Sequence, residues 1–107
     1  MPYADFFCIP KDMTVSMVQF IIELPETTSI KDKRMVIHSL RDRIIRKFNV
    51  SCAEVDLQDS LSFAQIGAAL VTNSRSHGES VMQKIILFVE DQVPGRLQDV
   101  NIYSESY

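Results

Sequence analysis

The sequence predicts one α+β domain in which two helices cover one face of a four-stranded antiparallel sheet, and three observations predict it. Four segments alternate apolar and polar residues, at Met13 to Leu24, Val50 to Gln58, Phe63 to Thr72 and Leu97 to Tyr103, the period of strands with one buried side. Two further segments carry apolar residues at helical spacing and end on stop signals. The order is strand, helix, strand, strand, helix, strand, which is the split βαβ, ferredoxin-like plan. A chain of 107 residues has room for one core and not for a second. The domain is assigned to residues 13–107, preceded by residues 1–12 as an N-terminal tail.

The first strand, Met13 to Leu24, lies between Pro10 and Pro25 and contains no Gly. Val18, Phe20, Ile22 and Leu24 share its inner face. Ser29 then caps a helix, with Asp32 three residues on in a weak capping-box arrangement. Ile30, Ile37, Leu40, Ile44 and Phe48 recur at spacings of seven, three, four and four, one apolar stripe on a helix ending near Asn49. In the second strand Ala53, Val55 and Leu57 share one face and Cys52, Glu54 and Asp56 the other, with the two acids on the side away from the helices. A short turn from Asp59 to Ser62 leads to the third strand, with Ile66, Ala68 and Leu70 inward. Ser76 and Glu79 form a capping box for the second helix, which carries Val81, Met82, Ile85, Phe88 and Val89 and stops near Gln92 before Pro94 and Gly95. The last strand turns Val100 and Ile102 inward.

Composition excludes several classes. Apolar residues make up 46% and charged residues 23%, ordinary values for a soluble globular protein, and a net charge of −3 does not suit a nucleic-acid coat protein. No apolar run approaches the roughly 18 residues of a membrane span, and residues 1–12 lack the basic start and long apolar segment of a secretory signal. Two cysteines, Cys8 and Cys52, make no disulfide framework, so a reducing cytoplasm is the expected location.

Charge is unevenly spread. Between Ser29 and Asn49, Lys31, Lys33, Arg34, Arg41, Arg43, Arg46 and Lys47 less Asp32 and Asp42 give +5, which leaves −8 on the other 86 residues. Clustered Lys and Arg gain affinity for phosphate by releasing counterions. Lys31, Arg34, Arg43, Arg46 and Lys47 are therefore candidates for binding RNA or an acidic protein partner. The bland alternative is a solvated face whose side-chain stems cover the edge of the core. Base stacking on the sheet is disfavoured, because its outer positions offer Met17, Ile21, Gly67, Ala69 and Val71 instead of aromatics. Such an apolar face suits another surface, and Met17, Ile21, Ala69 and Val71 are the expected contacts of a homodimer. Glu54, Asp56 and Asp59 are a weak candidate for a hard cation. His38 and His77 have no nucleophile in a catalytic arrangement, and the residues Asn73 to Ser76 before the second helix could cradle an anion or simply cap it. No catalytic residue, metal ligand or cofactor site is assigned, and the chain is expected to be a binding module and not an enzyme.

Particular residues resemble a known family. SIKDKRMVIHSLRDRIIRKFNVSCAEVD followed by AQIGAALVTNSRSHGESVMQKIILFVE is similar to the YlxP-like family of small bacterial proteins. That pattern has SLK-x-KR opening a helix, then FNVS-x-AE, and later a Leu-Gly-Val-Ala strand ending in a Ser-Asn turn and His. The resemblance covers about Met13 to Glu105 and implies a ferredoxin-like fold. It also implies genes that often neighbour translation-initiation and ribosome-binding factors, with no catalytic residues to carry over. The chain departs from the pattern between Asp59 and Ala64, where Leu61, Ser62 and Phe63 replace an aromatic, a Gln and an Arg.

Overall fold

The computed structural model describes residues 13–107; the tail at residues 1–12 lies outside the described residues. Strand β1 (Thr14–Glu23) leads to helix α1 (Ile30–Phe48), the strand pair β2 (Ser51–Asp56) and β3 (Phe63–Thr72), helix α2 (Arg75–Gln92) and strand β4 (Leu97–Ser106). One antiparallel sheet has the order β2-β3-β1-β4, the ferredoxin-like arrangement. Helix α1 packs over β2, and α2 over β1, β3 and β4. Among the described residues no helix is long and apolar enough to cross a membrane.

The core forms where the strand period and the helix period meet. Val18, Phe20 and Ile22 of β1, Ala64 and Ile66 of β3, Ile37 and Ile44 of α1, and Met82, Ile85 and Val89 of α2 are all fully or almost fully buried. Phe48 and Phe88 close its margin edge to face, their rings 5.7 Å apart at 75°. Helix α2 comes close to β1 because residue 78 is Gly: a Cβ there would stand 2.1 Å from Ser16 Oγ. Beneath it the buried Ser16 hydroxyl bonds the Ser104 hydroxyl at 2.9 Å, so neither polar group is stranded.

Both helix starts rest on serine. Ser29 Oγ accepts from Asp32 N–H as predicted, and α1 ends on Asn49, which adopts the left-handed conformation at φ 54°. The second cap differs from the sequence reading. Ser74, and not Ser76, accepts from His77 N–H, because extended backbone at residue 74 aims its hydroxyl at the free N–H groups of the first turn.

Three further expectations are corrected. Strand β2 has the opposite phase: Cys52 pairs with Ala68 and Glu54 with Ile66, so both face the helices, while Ser51 and Ala53 lie beside Ala69 and Gly67 on the open face. The register shifts between Glu54 and Asp56, and this bulge moves Asp56 to the open face, away from Glu54. In β4 a second irregularity, with Asp99 at φ 52°, leaves Val100 exposed at 41%; Ile102 packs inward as expected, joined by Leu97 in place of Val100. Finally Lys33, counted with the clustered cations of the basic segment, is 1% exposed.

Candidate functional site

The basic segment separates into two parts when folded. Lys33 occupies the position between Ile30 and Ile37 on the buried stripe of α1, filling the seven-residue gap in the apolar series. Its ammonium donates to the backbone carbonyls of Leu57 at 2.5 Å and Ser60 at 2.6 Å and lies 3.0 Å from Glu54 Oε2. The two carbonyls accept hydrogen bonds, while Glu54 Oε2 supplies opposite charge without accepting one. Leu57 sits at φ 64°, so this contact holds a turn in the left-handed conformation that Leu rarely adopts. Nearby, the Thr27 hydroxyl donates to Leu24 O at 3.0 Å and to Leu61 O. The β1–α1 connection and the β2–β3 turn are thereby tied together, and Lys33 is a structural cation.

Arg41 is half-buried and pairs with Asp42 at 3.1 Å. The remaining five cations, Lys31, Arg34, Arg43, Arg46 and Lys47, are all exposed, and they are the five that the sequence assigns to partner binding. They do not form one compact patch. Arg43 reaches toward α2, donating to Gln92 Oε1, and Lys47 Nζ stands 5.5 Å from the Phe88 ring centre, a cation–π contact. Lys31 and Arg46 lie on the outward side, with Arg46 Nε donating to Asp42 O at 3.3 Å. Arg34 shares a flank with Arg41, two helical turns apart. That flank looks over β2, where the Arg41 charge bears on the Cys52 thiol. Burial dominates there and pushes the thiol up to about 11, with Arg41 opposing. Met35, 65% exposed, and Ile45 interrupt the ridge with apolar side chains.

The opposite surface of the molecule carries no counterpart. None of the four strands contains a Lys or Arg. The open face instead carries Glu23, Asp56 and Glu105. It holds a shallow depression of about 510 Å³ over Met17, Gln19, Ala53, Val55, Gly67 and Ala69. Of the four residues expected in a dimer contact, Met17 and Ala69 are direct cross-strand partners, Val71 lies beside Val15, and Ile21 is farther along, opposite Gln65. The carboxylates weighed as a cation site are not assembled: Glu54 faces Lys33, and Asp56 lies on the other side of the sheet. His38 and His77 are exposed at separate places, on α1 and at the start of α2.

Sequence reasoning missed Lys33. The signal present was its place in the apolar stripe, seven residues being too wide a gap for a buried helix face. The strand phase of Glu54, its partner, was not readable, because alternation in β2 is equally consistent with either face inward.

Comparison with solved structures agrees on fold alone. The de novo designed protein Foldit4 superposes with a TM-score of 0.53 at 7% identity, covering 89% of this chain and 98% of that one. The crystal structure of At3g17210 from Arabidopsis thaliana gives 0.50 at 12% identity, covering 85% and 92%. In sequence, the chain is 36% identical over 62 residues to the uncharacterized protein YlxP of Bacillus subtilis (strain 168), covering 58% of this chain and 67% of that protein. The family described as protein of unknown function (DUF503) matches residues 15–102. Nearly the whole described domain is thus accounted for, and the chain belongs to the YlxP-like DUF503 family.

Proposed function

We propose that the protein is a non-enzymatic cytoplasmic binding module that holds RNA, or a ribonucleoprotein particle, by the phosphates against α1. The observation that carries this reading is the sorting of charge. Five exposed cations stand on one helix, while the strands carry no Lys or Arg and the open sheet face carries carboxylates. A polyanion is attracted to the helix layer and repelled by the sheet, so it docks in one orientation. The gene neighbourhood implied by the family resemblance, beside translation factors, supports ribosomal RNA as that polyanion. Met35 and Ile45 among the cations favour a second reading, an acidic protein partner with an apolar contact.

The test is retention of RNA by the full chain and by a variant carrying Lys31→Glu, Arg34→Glu and Arg46→Glu, three positions off the buried stripe. Filter binding at 50 mM salt should show retention by the native chain and none by the variant, with circular dichroism unchanged. Equal retention by both proteins would refute the α1 interface. Lysate capture that survives ribonuclease would select the acidic protein instead.

A further inference from the structure

The register of the sheet grades its open face from small side chains to large ones. In one cross-strand row Ser51, Ala69, Met17 and Tyr103 follow one another from β2 to β4, and in the next Ala53, Gly67, Gln19 and Asn101. The β2–β3 half is therefore a hollow. It forms the floor of the depression of about 510 Å³, while Tyr103 on the far side of Met17 stands 50% exposed. A surface that holds both a hollow and the ridge to fill it is self-complementary, which is what an interface between two copies related by a two-fold axis requires.

An axis parallel to the strands, between β1 and β3, keeps each row in place and exchanges β1 with β3 and β4 with β2. We propose that two copies of the chain pack their open sheet faces together about this axis, so that Met17 and Tyr103 of each copy cover Ala69 and Ser51 of the other. Gln19 then meets Gly67, and Asn101 meets Ala53, again large against small.

Charge and area agree with this occupant. Asp56 falls in the row of Gln65, Ile21 and Gln98, so each Asp56 is set against the other copy's Gln98, whose amide can donate to it. Glu23 is set against Phe63, and Glu105, in the row of Val15 and Val71, falls beyond the start of β2. No two carboxylates oppose each other. Three strands of ten residues and one of six, at about 3.4 Å per residue and about 4.8 Å between strands, give a face of about 600 Å². Two such faces bury about 1,200 Å², the lower end of specific and stable interfaces. The inference goes beyond RNA binding and does not rest on it, because α1 stays on the outer side of each copy.

Sedimentation equilibrium of the full chain at about 100 micromolar should give twice the mass of one chain. Ala69→Arg should give the single mass with circular dichroism unchanged. The axis has its own test, since residues 51 and 103 of one chain lie three strand spacings apart, about 14 Å, yet oppose each other across the pair. Ser51→Cys chains mixed with Tyr103→Cys chains, both carrying Cys8→Ser, should be joined by a short bis-maleimide at pH 7, where burial keeps the Cys52 thiol protonated. Neither chain should be joined to itself. A native chain of single mass, an Ala69→Arg chain of double mass, a mixed sample that is not joined, or equal joining in an unmixed sample would each overturn the proposal; the last would assign the pair to another axis.

Discussion

Single residues carry two of the sharpest consequences. Lys33 is a buried cation hydrogen-bonded to two carbonyls and ion-paired with Glu54, and removing one member of such a pair leaves an uncompensated charge. Lys33→Met should therefore cost about 3 to 5 kcal/mol in urea unfolding. Adding Glu54→Leu to that variant should restore much of the loss, and a double substitution that is merely additive would show that the pair is not coupled. Cys52 is the second case. Its thiol is raised from 9.0 to about 11 by burial, so the folded state keeps its proton over a range in which the unfolded chain has lost it. Folding stability attached to this thiol is intact below pH 9 and is lost as pH rises toward 11. Modification by a thiol reagent, followed by peptide mapping, should be negligible at Cys52 at pH 7 and should climb with pH through that window.

At the scale of elements, the cap of α2 separates two readings that differ by two residues. Ser74 holds the His77 N–H at 3.2 Å, whereas the Ser76 hydroxyl reaches only the Ser74 hydroxyl. Ser74→Ala should then cost about 1 kcal/mol and Ser76→Ala much less, measured by thermal or urea melts. Helix α1 depends on its stripe in the same manner. Leu40 is 3% exposed, and its truncation to Ala should cost about 2 to 5 kcal/mol, as large-to-small changes in cores do. Gly78 sets how near α2 comes to the sheet, since Ser16 Oγ and Cβ would lie 2.1 and 2.9 Å from an added Cβ. Gly78→Ala should destabilise by about 1 to 3 kcal/mol through overpacking.

For the whole molecule the governing feature is two unlike surfaces on opposite sides of one sheet. The helix layer bears the exposed cations, and the open face bears carboxylates around an apolar patch. If the five side chains of α1 each meet one phosphate, the logarithm of RNA affinity should fall with the logarithm of salt at a slope of about −3.5 on single strands, flattening by about 2 when three of the five are reversed. A titration of binding against salt reads both numbers. The native slope also counts the phosphates engaged, and a value near zero would remove phosphate from the interface.

Element order, the stripe Ile37, Leu40 and Ile44, the Ser29 cap and the breaks at Pro25 and Pro94 were legible in the sequence, because each depends on neighbours within one turn or one strand. The five candidate cations were legible too, since a helix of this period leaves Lys31, Arg34, Arg43, Arg46 and Lys47 off its apolar stripe. What lay beyond it was decided by partners distant in the chain. Lys33 is buried because the β2–β3 turn, 24 and 27 residues away, presents the carbonyls of Leu57 and Ser60. Glu54 faces inward because the register with Ile66 sets the phase of β2. Alternation by itself fits either face equally, and a bulge can reverse it within a strand, as it does after Glu54. The sequence by itself thus determined the elements and their order, while only the tertiary structure decided which side of β2 faces the core and which lysine is structural, because register and desolvation are properties of paired surfaces and not of one segment.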